Sequence, residues 1–161
     1  MTHPPTIRTR TAAEGRAVAV LGDVYRFLAT GAETAGRYAV FESIVAPGNG
    51  PPPHVHSREE EGFYVLEGEV TFGHGDTVVR AGPGTFINMP VGSLHWFRNE
   101  TNRPARMLVS VAPAGLEGMF FEVGQPVAAG AVTAPAPTPE EIGRLLAAAP
   151  RYGLEIRVPG A

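Results

Sequence analysis

The sequence lacks cysteine and lysine, and it has no long hydrophobic run. Without cysteine, the 161-residue chain has no disulfides, no thiolate metal ligands and no thiol nucleophile. Its 13 basic residues are all arginines scattered along the chain, and the net charge is -3, so we expect no nucleic-acid partner and no membrane partner. No stretch resembles a signal peptide or a transmembrane span. We therefore expect a soluble cytoplasmic protein that binds a small molecule.

Short β-prone segments make up most of the chain. Charged residues account for only 18%, which is low for a soluble protein, but with 43% hydrophobic residues the composition is far from that of a disordered chain, so we expect one globular domain. The apolar runs are separated by 20 glycines and 16 prolines. The predicted strands lie near residues 18–21, 24–29, 38–45, 63–72, 77–80, 85–88, 95–99 and 106–112. Because no helical pattern separates them, we predict an all-β fold, a single antiparallel barrel or jelly roll.

The C-terminal part has a different composition. Residues 124–139 are rich in alanine and proline, which predicts a linker or a wrapping arm. A helix should follow, with Thr138 as N-cap, Pro139 in the first turn, Glu141 completing a capping box and Pro150 ending it. Its apolar face consists of Ile142, Leu145, Leu146 and Ala149. This face packs either on the barrel or on a partner subunit, and we divide the chain into a barrel domain, 1–123, and a C-terminal arm and helix, 124–161.

Two histidines and a carboxylate are close together in the segment "PPPHVHSREEEGFYVLEGEV". His54 and His56 are two apart, so in an extended strand both point to the same side. The following "SREE" indicates a turn, after which a carboxylate at the head of the next strand can face the same point. We favour Glu61 for this position and expect Glu59 and Glu60 to face the solvent.

A third histidine follows a second turn in "GTFINMPVGSLHWFRN". Gly84 opens one strand, Pro90 and Gly92 form a turn, and His95 begins the next strand. A single histidine on an apolar strand is more often a hydrogen-bonded core residue than a ligand. By itself, His95 therefore indicates no site.

Together, these two segments resemble the two conserved motifs of the cupin family in residue order and spacing. The first motif, within residues 48–68, comprises Gly48, His54, His56, Glu61 and Gly68. The second, within residues 84–99, comprises Gly84, Pro90, Gly92, His95 and Asn99. The motifs cover about a third of the chain, and the remaining segments fit the family through their strand-rich pattern.

The resemblance implies a small jelly-roll barrel, commonly a homodimer, with one metal site. Its four ligands correspond to His54, His56, Glu61 and His95, whereas Asn99 corresponds to a structural asparagine. Three imidazoles and a carboxylate suit one divalent transition metal per chain, and the sequence leaves Fe, Mn, Ni, Co and Zn open. Four ligands from the barrel wall leave positions for water, oxygen or a chelating substrate, as catalytic metal sites do.

The predicted surroundings of this site are apolar. Alternation places Phe63 and Val65 on the same side as Glu61, and it places Phe97 on the same side as His95. Further candidate lining residues, for which core packing is an equal explanation, are Tyr25, Tyr38, Phe41 and Met89. Such an apolar pocket suits a flat aromatic ligand that carries oxygen atoms.

Within the cupins, the chain looks similar to the short, single-barrel quercetin 2,3-dioxygenase-like proteins of bacteria. That similarity implies a metal-dependent dioxygenase that uses O2 to open a flavonol and releases carbon monoxide. Glu61 is then both a metal ligand and the catalytic base for the substrate hydroxyl. The alternatives are a non-catalytic metal or small-molecule binding module, and an isomerase or decarboxylase that uses the same metal as a Lewis acid.

Overall fold

Two antiparallel sheets face each other in the computed structural model, which describes residues 6–158. The strands are β1 (Ala17–Val20), β2 (Asp23–Ala29), β3 (Ala39–Val45), β4 (His54–His56), β5 (Glu60–Glu67), β6 (Val70–His74), β7 (Thr77–Ala81), β8 (Phe86–Met89), β9 (Leu94–Arg98), β10 (Ala105–Ala112), β11 (Gln125–Val127) and β12 (Leu154–Ile156). Seven strands form one sheet, in the order β11-β1-β2-β3-β10-β5-β8, and five form the other, β12-β4-β9-β6-β7. The predicted all-β antiparallel jelly roll is confirmed.

Alternation along the central strands separates the core from the outer face. On β3, Phe41 and Ser43 point between the sheets, whereas Glu42 points to the outer face of the seven-stranded sheet. There Glu42 accepts hydrogen bonds from Arg26, at 3.0 Å, and from Arg106, at 2.7 Å. Because this pairing satisfies the buried charge of Glu42, the outer face tolerates a carboxylate within a strand.

The predicted strand over 63–72 is in fact two strands in different sheets. The chain bends at Gly68, where φ is +77°, a left-handed conformation that favours glycine. A Cβ at this position would lie 2.9 Å from the Ala105 Cα and the Pro104 carbonyl oxygen, so side chains are excluded as well. β5 therefore ends at Glu67, and β6 begins at Val70 in the opposite sheet.

Several short elements were not predicted from the sequence. The strands β4, β11 and β12 have three residues each, too few for alternation to identify them. The helices α1 (Gly31–Thr34) and α2 (Glu117–Val123) were not predicted either. The buried residues Leu116, Met119, Phe120 and Val123 have the spacing of a helix face, a signal that could have identified α2. None of the helices within residues 6–158 is long and apolar enough to cross a membrane.

The C-terminal segment wraps the sandwich and closes one side of it. β11 pairs with β1, and Arg26 donates hydrogen bonds to the carbonyl oxygens of Ala129 and Ala131. The predicted helix is confirmed as α3 (Pro139–Ala148), with the capping box of Thr138 and Glu141. A 3-10 turn (Ala149–Tyr152) then leads to β12, which pairs with β4. The segment is thus an arm that packs on its own chain.

Asp23 connects the start of β2 to the loop that leads to β4. Its Oδ1 accepts hydrogen bonds from the Ala46 backbone, at 2.9 Å, and from Asn49 Nδ2, at 3.0 Å. Asp23 is only 3% exposed. Burial raises the pKa of this carboxyl to about 6, although the two hydrogen bonds act in the opposite direction and lower it.

This buried carboxyl predicts a dependence of stability on pH. The folded pKa of about 6 exceeds the ordinary 3.8, so the group's contribution is fully present below pH 3.8 and is lost as the pH rises through 6. The loss amounts to about 3 kcal/mol. Asp23→Asn keeps an acceptor but cannot ionise, so its free energy of unfolding in urea should rise relative to wild type between pH 4 and pH 7. Parallel pH profiles of the two proteins would contradict this role.

Candidate metal centre

Three histidines and one carboxylate converge between the two sheets. His54 and His56 lie on β4, and His95 lies on β9, where it pairs directly with His54. Glu61 reaches the same point from β5 in the facing sheet. Each side chain offers one ligand atom, these atoms all lie within 4.8 Å of one another, and all four residues are buried. We call these residues the His3Glu cluster.

The short strand β4 is held in place by its neighbours. Three prolines at 51–53 precede it and favour an extended backbone. β9 lies on one side of β4, and β12 lies on the other, where Leu154 pairs with His56 and Ile156 pairs with His54. Both imidazoles are therefore fixed on the inner face, and Val55 points away.

Backbone carbonyl groups determine which nitrogen of two histidines faces the cluster. The Nδ1 of His54 lies 2.8 Å from the Pro52 carbonyl oxygen, and the Nδ1 of His95 lies 3.1 Å from that of Ser93. A carbonyl oxygen only accepts hydrogen bonds, so each Nδ1 is the donor. In the neutral tautomer, the Nε2 lone pair is then directed into the cluster, as in metal-ligating histidines.

Electrostatics at this point favours added positive charge. Glu61 Oε2 lies 3.1 Å from His56 Nε2 and 3.2 Å from His95 Nε2. Burial alone would raise the pKa of Glu61, but these contacts hold it below its ordinary value. Burial would lower the pKa of His56, but the facing carboxylates of Glu59 and Glu61 raise it to about 9. Burial lowers the pKa of His54 to about 4, so this imidazole stays neutral.

Glu59 contradicts the expectation that it faces the solvent. It is 1% exposed, and its Oε2 lies 3.6 Å from His56 Nδ1, an ion-pair distance longer than a hydrogen bond. Neither of these two buried atoms has a hydrogen-bond partner. The expectation failed because the side chain of Glu59, just before β5, points inward behind His56. Strand alternation could not predict the direction of a side chain in this turn. Glu60 is exposed as expected, and it accepts hydrogen bonds from Asn88 and from the Val91 backbone.

The motif residues outside the His3Glu cluster shape the turns around it. Gly48, Gly68, Gly84 and Gly92 all have positive φ angles. Pro90 lies in the turn between β8 and β9. Asn99 is fully buried; its Nδ2 donates to the carbonyl oxygens of Val45 and Arg103, and its Oδ1 accepts from Thr101. Asn99 therefore ties the end of β9 to β3 and is not part of the cluster.

A cavity of about 350 Å³ opens beside the His3Glu cluster. His54, His56 and Glu61 form part of its wall. Of the predicted lining residues, Phe63, Phe97, Phe41 and Tyr25 line it. Val65, Met89 and Tyr38 do not.

The structure places these three residues away from the cavity for two physical reasons. Val65 and Met89 point between the sheets, but both are buried in the core instead of lining the cavity, since alternation gives the side of a sheet and not the position along it. Tyr38 precedes β3 and is 45% exposed.

Several lining residues were not identified from the sequence. Leu116, Met119 and Phe120 come from α2, and Leu154 and Ile156 come from β12. α3 contributes Ile142, Leu145 and Leu146; Leu145 is buried, whereas Ile142 and Leu146 remain 42% and 39% exposed. Ser43 also lines the cavity. It is two residues after Phe41 on β3, so strand alternation could have predicted that it points to the same side as Phe41.

The contact between Glu59 and His56 predicts an effect on metal affinity. A carboxylate that accepts a hydrogen bond from a ligating imidazole orients the ring and raises its basicity, and its loss typically costs about 10–100-fold in metal affinity. Because the two atoms of Glu59 and His56 are 3.6 Å apart, beyond hydrogen-bond distance, the lower limit of about 10-fold applies here. We expect Glu59→Gln to weaken Co(II) binding by this factor, measured by competition with a chromophoric chelator. Glu60→Gln, the same change on the exposed neighbour, is the matched control and should bind Co(II) as wild type does. Equal affinities for both variants would contradict a role for Glu59.

Comparison with known proteins identifies a family domain across the segment that holds the His3Glu cluster. The family model described as "Cupin domain" matches residues 41–111. The chain is 26% identical over 113 residues to quercetin 2,3-dioxygenase of Bacillus subtilis, an alignment that covers 70% of this chain and 33% of that protein. The chain thus spans about a third of the length of this relative.

Two solved structures resemble the fold. The polyketide cyclase RemF from Streptomyces resistomycificus is 26% identical, with a TM-score of 0.59 over 66% of this chain and 80% of that one. A predicted oxalate decarboxylase from Thermotoga maritima is 18% identical, with a TM-score of 0.61 over 66% of this chain and 99% of that one, and shows likeness of fold alone. The domain match over residues 41–111 and the two-sheet architecture show that the chain has the cupin fold.

Proposed function

We propose that this protein is a metal-dependent dioxygenase that cleaves an aromatic hydroxy-ketone of the flavonol type. The observation that carries the proposal is the position of the His3Glu cluster in the wall of an apolar cavity. A cavity of about 350 Å³ lies within the usual size range of small-ligand sites. The similarity to a quercetin 2,3-dioxygenase supports this substrate class, and the similarity to a polyketide cyclase supports oxygenated aromatic ligands in general.

The residues of the cluster fit a divalent transition metal. Three imidazoles and one carboxylate are ligands that suit Fe(II), Mn(II), Co(II), Ni(II) or Zn(II). The Nδ1 hydrogen bonds of His54 and His95 fix the tautomer that ligation requires. When bound, the metal would supply a Lewis-acidic centre for substrate oxygens and for O2 chemistry.

Glu61 is the group that we assign to proton transfer. Its carboxylate is the acidic member of the His3Glu cluster and lines the cavity, so a ligand hydroxyl at the cluster comes within its reach. The lowered pKa of Glu61 keeps it ionised in the resting protein. As the carboxylate of the cluster, it is the group placed to take up the proton of a ligand hydroxyl.

The rest of the cavity selects for apolar, uncharged ligands. Phe41, Phe63, Phe97 and Phe120 line it, together with aliphatic side chains from α3 and β12. Among the described residues, no arginine lines it. A sugar phosphate or a free carboxylate would therefore lack a partner for its charge, whereas a flat ring system can pack on the aromatic walls.

Replacing Glu61 tests the assigned base. Glu61→Gln is nearly isosteric but cannot take a proton, so we expect turnover per bound metal to fall by about 10²–10⁴-fold. The measurement is O2 consumption with quercetin after metal loading, with metal content determined in the same sample. Glu60→Gln is the matched control, since that carboxylate is exposed on the same strand. Unchanged turnover in Glu61→Gln would contradict the base role.

The same assay separates the alternative functions. Product formed under anaerobic conditions would favour an isomerase or decarboxylase, and binding of quercetin without turnover would favour a binding module. His54→Ala and His95→Ala should each lower the metal content of the purified protein. Full metal occupancy in either variant would remove that residue from the ligand set.

A further inference from the structure

Ser43 presents an unpaired hydroxyl to the cavity. Its side chain lies on the inner face of β3, is 1% exposed and has no hydrogen-bond partner for Oγ. Ser43 lines the same cavity as the His3Glu cluster. A buried hydroxyl without a partner is costly, so such groups in native proteins call for a specific explanation.

Tyr25 lies directly opposite Ser43 on the neighbouring strand. The two residues are a cross-strand pair of β2 and β3, and both line the cavity. The Tyr25 ring packs against Phe120, at 4.6 Å between ring centroids, and against Phe41, at 6.0 Å. Burial, followed by the charges of Asp23 and Glu61, raises the pKa of Tyr25 well above its ordinary value, so its phenol remains a hydrogen-bond donor. The Ser43 hydroxyl acts in the opposite direction, which shows that the two hydroxyls are close to each other without meeting the geometry of a hydrogen bond.

The sheet register separates Ser43 from the His3Glu cluster. Three successive rows cross the seven-stranded sheet: Ala39, Val111 and Glu61; Phe41, Val109 and Phe63; and Ser43, Met107 and Val65. Ser43 is therefore four residues along β3 from the row of Glu61, about 13 Å at the usual rise per residue. The intervening row places the rings of Phe41 and Phe63 on the cavity wall.

We propose that Ser43 and Tyr25 form a hydrogen-bonding subsite for a second oxygen of the ligand whose first oxygens bind at the His3Glu cluster. This inference rests on the proposed function and specifies its substrate class. The ligand is an uncharged, rigid compound of two or three rings, long enough to cross the row of Phe41 and Phe63. It carries a hydroxyl or carbonyl group at the end opposite its metal-binding oxygens.

Chemistry on the cavity wall limits that second group to a neutral one. Serine and tyrosine hydroxyls donate and accept single hydrogen bonds, so they match a phenol or a ketone. Since no arginine lines the cavity within the described residues, a carboxylate or phosphate at this end would be buried without a counter-charge. A ligand hydroxyl would also give Ser43 Oγ the partner that it lacks.

Two metal-binding probes test the subsite. 3-Hydroxyflavone has the hydroxy-ketone pair but no other hydroxyl, whereas quercetin adds hydroxyls on both outer ring systems. We expect Ser43→Ala and Tyr25→Phe each to weaken quercetin binding to the Co(II)-loaded protein by about two- to tenfold, the factor for one neutral hydrogen bond. Both variants should bind 3-hydroxyflavone as wild type does. The measurement is the dissociation constant of each probe from its absorption change.

Matched controls and a metal assay make the result decisive. Ser110→Ala and Tyr64→Phe remove the same hydroxyls from exposed positions, and they should bind both probes as wild type does. An equal loss for both probes, or no loss for either, would overturn the subsite while leaving the proposed function intact. If metal-loaded wild type bound neither probe, the proposed function and the subsite would both fail. Should Tyr25→Phe fail to fold, Ser43→Ala, which removes one atom, decides alone.

Discussion

The structure depends on one carboxylate of one sheet meeting three imidazoles of the other. Burying Glu61 between the sheets is costly unless its charge is compensated, and His56 and His95 lie within 3.2 Å of it. This compensation requires β4 and β9 to pair in the register that sets His54 opposite His95, and it requires β5 to face them. A slip of one residue would point these side chains away from the cavity. The two sheets are therefore held in the relative position that the cluster needs.

The remaining segments maintain this arrangement. β4 has only three residues, and β12 supplies the second neighbour that a strand of this length needs. The arm that brings β12 back first pairs with β1 and then forms α3, whose apolar face closes the cavity. Binding and folding are thus connected, because the segment that supports the histidine strand is also a wall of the ligand site.

The sequence predicted the cluster better than it predicted the cavity. His54, His56 and Glu61 could be grouped because strand alternation acts over two residues and the turn between them is short. His95 could be added only through the resemblance to cupins. It pairs with His54 across two strands that are far apart in sequence, and neither segment alone indicates that pairing. Glu59 was misplaced because its direction depends on the geometry of that turn. Val65 and Met89 were misplaced because the position of a side chain along a sandwich is set by the packing of both sheets, which no single strand encodes. Tyr38 was misplaced because it precedes β3 and is exposed.

The most direct test of the account is X-ray absorption spectroscopy of the protein loaded with one equivalent of Co(II). The four side chains predict first-sphere nitrogen and oxygen scatterers at about 2.0–2.2 Å, with outer-sphere scattering from three imidazoles. A spectrum with one imidazole or none, or a protein that retains no metal after desalting, would contradict the central claim that the His3Glu cluster binds a single cation.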